Sequence, residues 1–349
     1  MYLNQRVACI RSISNRIIPD FLYFVMVSPA IREIIASSKT STNDNISMET
    51  ISSFLCPVPP LEEQKRIVDQ INEISPNLKD YELKENQRIQ LNIAFPDQLK
   101  KSILQEAVQG KLVPQDPNDE PASVLLERIR AEKERLIAEG KIKRDKHESL
   151  IFKRDNSHYK KIGLVERCID DDIPFEIPDN WEWAFIPEIT YFQEGPGILG
   201  ADFRKEGVPL IRIAGMQGKY VSLQGCNYLD PEMVLQKWSH FKLDLGDIVI
   251  STSASLDKIA EVTEEAQGAI PYTGLIRFKM FSGISKEYFT YFIKSPFYMA
   301  QIAKQESGSA IKHYGPTHLK RMIIPIPPYL EQLRIVKELQ RALTCLEKL

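Results

Sequence analysis

Four absences narrow the reading of this chain. It has no G-x-x-x-x-G-K-[ST] run, so a phosphate-gripping loop of the ATP-motor type is excluded. Its five cysteines (Cys9, Cys56, Cys168, Cys226 and Cys345) are scattered, with no C-x-x-C pair. That argues against a zinc knuckle or a disulfide framework and fits a reducing cytoplasm. No secretory signal opens the chain, and its longest early apolar run, FLYFVMV from Phe21 to Val27, is closed by Ser28-Pro29. Such a run is too short to span a bilayer and reads as buried helix or strand. Charge of one sign is lacking too. The formal net charge is -2 over 349 residues, so composition alone predicts no nucleic-acid partner. What is present is ordinary for cored globular units: 43% hydrophobic residues in a length that suggests two or three units.

One phrase occurs twice. PVPPLEEQKRIV (Pro57 to Val68) and PIPPYLEQLRIV (Pro325 to Val336) agree at eight of twelve positions, 268 residues apart. The likeness extends backwards. FLYFVMVSPAIREIIA from Phe21 resembles YFTYFIKSPFYMAQIA from Tyr288, and each is followed by a polar loop and a short apolar run, FLCPVPP or MIIPIPP. After the prolines both copies turn helical. Apolar residues recur at Ile67, Ile71, Ile74, Leu78 and Tyr81, and at Ile335, Leu339, Ala342, Leu346 and Leu349. The 4, 3, 4, 3 spacing is the seam of a heptad helix. Two such helices can pair with each other or lie on separate cores, and periodicity does not choose. Pro76, inside the first seam, is expected to kink or break its helix.

Between the copies, Leu99, Ile103, Leu104 and Ala107 predict a short helix closed by Gly110. Asp119 to Pro121 signals the start of another, Ala122 to Glu139, ended by Gly140. Its alternating charges, Arg128, Glu132, Lys133, Glu134 and Arg135, predict a solvated face. Residues 141–170 are highly charged and weakly patterned and read as a linker or flexible arm. From about Pro174 short β-type runs appear: PLIRIA, KYVSL, GDIVISTS and GLIRFKM, separated by turn residues. A helical stretch from Lys286 to Gln305 follows.

Strings that imitate catalytic motifs fail on chemistry. GPGILG, from Gly195, matches G-x-G-x-x-G, but Gly207 and Pro209 cut short the helix a dinucleotide site needs. IPPY, from Ile326, echoes the polar-Pro-Pro-aromatic motif of adenine-N6 methyltransferases. Ile326, and Val58 in the other copy, cannot accept the amino hydrogen. His147, His158, His240, His313 and His318 lack metal-ligand spacing. Asp170, Asp171 and Asp172 read as solvated linker, and Ser251, Ser253 and Ser255 as a serine-rich loop with no obvious base.

The paired proline phrases, the text SILQEAVQGKLVPQDPNDEPASVLLERIRAEKERL and the later IPDNWEW and LDLGDIVISTSAS together resemble the DNA specificity subunit of type I restriction–modification systems. The resemblance covers nearly the whole chain. It implies a mixed α/β (α+β) fold in which target recognition domains alternate with conserved helices that form an antiparallel coiled coil. It further implies a non-catalytic, cytoplasmic subunit that directs adenine-N6 methyltransferase and restriction subunits to a bipartite site on double-stranded DNA. No membrane is involved, and no cofactor is expected on the chain. S-adenosylmethionine, ATP and Mg2+ belong to the partner subunits. On this plan residues 1–60 are the tail of a first recognition domain and 61–175 the central helical region with its linker. Residues 176–328 are a complete recognition domain and 329–349 the final helix. About 56 residues precede the first phrase where a whole recognition domain takes roughly 150. The chain therefore resembles a subunit lacking most of its first reader, expected to read one half-site. The alternative is a remnant that binds the methyltransferase without reading DNA.

Residues 178–328 hold 15 Lys/Arg against 16 Asp/Glu, so a DNA face in this domain must be local. Arg and Gln can contact bases bidentately, and Lys suits phosphates. The candidate readers are Arg204, Lys205, Arg212, Gln217, Lys219, Ser253, Ser255, Lys258, Lys312, His313 and Tyr314, each weighed against an ordinary solvated side chain. Arg212, in an apparent strand, could instead be a structural ion-pair residue. The seam residues Ile67, Ile71, Ile74, Leu78, Ile335, Leu339 and Leu346 are the expected helix-pairing positions. With one reader absent, two chains could also associate as a homodimer, which would restore two-fold symmetry.

Overall fold

Proline marks where many helices of this chain begin. Its fixed φ suits a first helical position, where the missing N–H costs nothing. The computed structural model describes residues 9–13, 15–38, 48–145, 148–155, 157–252, 258–306 and 314–347. The fold is mixed α/β, in two compact units, Met1–Ala94 and Phe95–Leu349.

The first unit holds α1 (Pro19–Met26), α2 (Pro29–Ser38), α3 (Met48–Ser52) and most of α4 (Leu61–Val108). Among its described residues Phe21, Ile31 and Val68 are the buried apolar ones, and Gln64 is fully buried. The expected break at Pro76 does not occur, because α4 continues through both Pro76 and Pro96. Next to Pro76, the Ser75 hydroxyl donates to the Ile71 carbonyl at 2.6 Å. The helix expected around Leu99 to Ala107 is therefore the end of a 48-residue helix. Its end is the one the sequence marks. Gly110 sits at φ +72°, and Lys111 N–H reaches back to the Glu106 carbonyl at 2.9 Å, closing orphan carbonyls. Gly140 does the same for α5 (Ala122–Ala138).

The alternating charges of α5 are not simply solvated. Glu132 accepts from the backbone N–H and hydroxyl of Ser282 at 2.9 and 3.2 Å. Lys133 donates to Glu148 and to the Pro187 carbonyl. Nor is 141–170 merely a linker. It contains an antiparallel meander, β1 (Ser149–Arg154), β2 (Ser157–Ile162) and β3 (Val165–Cys168). Its apolar residues are few because a three-stranded sheet needs only one anchored edge. Ile151 supplies it, 2% exposed in the core. Asp170 accepts the His158 backbone N–H at 2.6 Å, which holds its carboxyl at about 2.

The rest of the second unit carries β4 (Glu182–Phe185), α6 (Ile186–Ile189), β5 (Thr190–Glu194), β6 (Phe203–Arg204), β7 (Val208–Ile211), β8 (Asn227–Leu229) and α7 (Pro231–Met233). Then come β9 (Ile248–Ser251), β10 (Ile259–Glu261), β11 (Ile270–Pro271), β12 (Leu275–Met280), α8 (Lys286–Ile293) and α9 (Pro296–Glu306). α10 (Pro316–Leu319), β13 (Ile323–Ile326) and α11 (Tyr329–Leu346) close it. The strands form sheets in the orders β10-β9-β12-β5 and β11-β7-β8-β6, with β13 paired antiparallel to β4. KYVSL contributes only an isolated bridge, Tyr220 to Glu261. GPGILG is followed by a three-residue 3-10 turn and then β6, a geometry without the helix a dinucleotide would need.

One core joins the end of α4 (Leu104, Val108), α5 (Leu125, Ile129), Trp183, Phe289 and, from α11, Ile335 and Leu339. These two seam positions are thus core residues of their own unit. Leu346, Ile67 and Ile71 are half-buried, whereas Ile74 and Leu78 stand 49% and 61% exposed.

Candidate nucleic-acid interface

The loop after β7 is shaped by its own backbone. Gly215 N–H bonds the Arg212 carbonyl at 2.8 Å, and Ser222 N–H returns to the Gly215 carbonyl at 3.0 Å. Met216 pins this loop into a core with Val221, Val249 and Ala260. The side chains of Gln217 and Lys219 are left outside. Glu261 N–H then bonds the Lys219 carbonyl at 2.9 Å, and Val221 N–H bonds the Glu261 carbonyl at 2.9 Å. This tie brings residues 217–219 beside the start of β10 and hence beside Lys258.

Lys258 Nζ donates to Gln217 Oε1 at 2.9 Å, and Gln217 Nε2 donates to the Ile213 carbonyl at 3.3 Å. The carboxamide is therefore oriented on both sides while keeping one N–H and one lone pair for a ligand. Lys219 Nζ lies 5.2 Å from the Tyr220 ring centroid. Gln217, Lys219 and Lys258, with Lys286 and Tyr291 of α8, line a half-open cavity of about 700 Å³. Lys286 is ion-paired to Glu261 at 2.5 Å. Burial raises the Tyr291 hydroxyl above the usual tyrosine range; Lys219 opposes the shift and Glu287 adds to it.

Arg204 and Arg212 form a second group, flanking β8. Arg204 stands opposite Tyr228 of β8, and its Nη1 donates to the carbonyls of Ala201 and Phe203, both at 3.1 Å. Arg212 Nη1 donates to Asn227 Oδ1 at 3.2 Å, and its guanidinium lies 5.6 Å from the Tyr272 ring centroid. No carboxylate among the described residues pairs with Arg212, so the ion-pair expectation gives way to an amide and an aromatic partner. Lys205 is exposed just past β6. Ser253, Ser255, Lys312 and His313 lie outside the described residues.

Tyr314 requires a correction. It is 4% exposed, its hydroxyl lies 2.9 Å from that of Tyr298, and it donates to Met322 Sδ at 2.8 Å. Burial drives its hydroxyl far above the usual tyrosine range. It is a core residue rather than a DNA contact. In text it follows Lys312 and His313, and nothing local shows that it turns inward. Lys286 and Tyr291 were equally illegible as site residues, because their place in the cavity depends on how α8 packs beside β10.

Among the described residues no cluster of three His, Cys, Asp or Glu could hold a metal, and no helix is long and apolar enough to cross a membrane.

The model of the type I restriction modification DNA specificity domain matches residues 1–91 and 178–348, two stretches that each contain one copy of the repeated phrase. The chain is 30% identical over 261 residues to the Escherichia coli type I restriction enzyme EcoAI specificity subunit, covering 73% of this chain and 41% of that protein. It is 33% identical over 250 residues to the EcoEI specificity subunit, also from Escherichia coli, covering 68% and 37%. The chain thus spans about two fifths of these relatives' length. The HsdS subunit of Thermoanaerobacter tengcongensis aligns at 16% identity with a TM-score of 0.40, over 95% of this chain and 64% of that one.

Proposed function

We propose, for a chain that belongs to the family of type I restriction modification DNA specificity domains, a role as the sequence-reading, non-catalytic subunit of a methyltransferase and endonuclease complex. Its partners are double-stranded DNA, modification subunits that methylate adenine, and a restriction subunit. Cofactors reside on those partners. The observation that carries the reading is the oriented Gln217 carboxamide, set with Lys219 and Lys258 at the mouth of one cavity. A fixed amide presents a donor and an acceptor at the spacing of an adenine edge, and the two lysines suit flanking phosphates. Arg204 of β6 and Arg212, just past β7, lie either side of β8 and add two further separate guanidinium groups suited to DNA. The domain reads one half-site. The exposed seam of α4 supports helix pairing as an antiparallel coiled coil, in which Ile74 and Leu78 would lose their exposure.

The test is to co-express the chain with a cognate modification subunit and map methylated adenines in the host DNA. A motif that gains methylation only when this chain is present supports the proposal. An unchanged methylation map, in the presence of a co-purifying modification subunit, counts against it.

A further inference from the structure

The sheet β1–β2–β3 falls within residues 92–177, outside the two stretches matched by the DNA specificity domain. Between residues 149 and 168 the chain carries five Lys/Arg against two Asp/Glu, in a protein of net charge -2. The strand register sorts these charges by face. Ile151, Lys160 and Arg167 stand in one row across the three strands, and Lys153 opposes His158 in the next row of that face. The opposite face holds Glu166, which takes Arg154 at 3.0 Å and Lys161 at 3.9 Å. The acid within the strands is therefore spent on the other side, and on this one Asp170, just past β3, lies 3.3 Å from the His158 ring.

The Lys160 face is crowded with cations. Lys160 Nζ lies 4.8 Å from the Phe185 ring centroid. Lys160 and Arg321 line a half-open cavity of about 460 Å³, floored by Phe185, Phe297 and Ile323, with Asp172 at its rim. Burial lowers the lysine's pKa, and Arg321 and Arg167 lower it further, against an opposing effect of Asp172. Among the described residues no carboxylate lies within ion-pair distance of Lys160, Arg167 or Arg321. Crowded like charges cost free energy that an incoming anion would recover.

We propose that this face is a second DNA contact, in which Lys160, Arg167 and Arg321 hold phosphates of the duplex backbone without reading sequence. The inference rests on the DNA-binding reading above. A duplex fits better than an acidic protein surface because lysine is depleted from protein–protein interfaces but common at phosphates.

The experiment titrates the full chain with labelled duplexes of unrelated sequence across roughly 50 to 300 mM salt. The variant K160Q/R167Q/R321Q is expected to bind every duplex more weakly. It should flatten the slope of log K against log salt by about 2 to 3, leaving the affinity ratio between sequences unchanged. The charge-keeping variant K160R/R167K/R321K should retain the slope, which separates lost contacts from lost folding. An unaltered slope in the glutamine variant overturns the proposal. So does loss of a co-purifying subunit with DNA affinity intact, which would assign the face to protein. Failure of Gln217→Ala to change sequence preference would overturn the reader assignment alone. Absence of any duplex binding by the parent chain overturns both.

Discussion

Gln64 and Gln332, 268 residues apart, make the same three hydrogen bonds. Gln64 Oε1 accepts Ile18 N–H at 2.9 Å, and its Nε2 donates to the carbonyls of Arg16 and Pro59 at 2.8 and 2.9 Å. Gln332 Oε1 accepts Ser285 N–H at 2.8 Å, and its Nε2 donates to Gly283 and Pro327 at 3.4 and 3.0 Å. In each copy the glutamine staples the proline phrase to the start of the preceding aromatic helix. The neighbours of the two glutamines diverge. Glu331 accepts from Gln115 at 2.7 Å and Arg334 grips Asp119, whereas Glu63 and Arg66 pair with each other near the surface.

Gln332→Ala should lower the stability of the second unit by about 2–3 kcal/mol, because it leaves one N–H and two carbonyls without partners, the Ser285 N–H and the Pro327 carbonyl in buried bonds. Gln64→Ala should act in the same direction on the first unit, with a smaller effect because its bonds are only part-buried. Urea unfolding read by circular dichroism checks both.

Asp119→Ala should cost about 1–3 kcal/mol. Its carboxylate is 3% exposed, so the loss strands Arg334 beside a vacated buried site, but Arg334 is 35% exposed and water screens part of the cost. The midpoint of thermal unfolding reports the loss. Arg334→Lys should recover little, since one ammonium cannot replace a two-pronged grip.

Glu188 predicts a pH effect. Burial pushes its carboxyl up to about 7, opposed by Phe185 N–H at 2.9 Å, Arg130 at 3.3 Å and Ile151 N–H at 3.3 Å. The folded state therefore holds this proton more tightly than the unfolded chain. Its stabilising contribution is complete below about 4.5 and is lost as pH rises to about 7, on the order of 3 kcal/mol. Glu188→Gln keeps an oxygen for both N–H groups and should flatten stability between those pH values. A Glu188→Gln protein with the parent's slope across that window would contradict the assignment.

Tyr314→Phe should destabilise by about 1 kcal/mol through loss of the hydroxyl bond to Tyr298, with DNA affinity unchanged. A selective loss of affinity with stability intact would restore Tyr314 to the interface.

Gln217→Ala should reduce preference for the favoured duplex by about 1–3 kcal/mol, roughly 5- to 150-fold, while Lys219→Ala weakens all duplexes alike. Competition binding with randomised duplexes measures both.

Much of the local structure was legible because it is written locally. The glycine stops at Gly110 and Gly140 and the strands GDIVISTS and GLIRFKM follow from short-range backbone preference and alternation. Pro76 reads as a break, but a 48-residue helix propagates cooperatively and can absorb one missing hydrogen bond. The meander 149–168 reads as linker in the sequence because its strands carry charges on both faces and bury little beyond Ile151, so the apolar alternation that signals a strand is faint. Of the candidate readers, Gln217, Lys219 and Lys258 meet, though 39 residues separate Lys219 from Lys258. Tyr314 leaves the set because its neighbours in space are Tyr298 and Met322.

The amino-acid sequence by itself determined the duplicated phrase, the helix starts and stops, and the family likeness, since these are set by identity and short-range spacing. Only the tertiary structure decided which polar residues of that phrase are buried staples, which of the seam positions are core, and where cations gather without acids. Those outcomes depend on desolvation and on partners distant in sequence. The same Glu-Gln-x-Arg text therefore keeps its glutamine bonds in both copies while its glutamate and arginine find different partners.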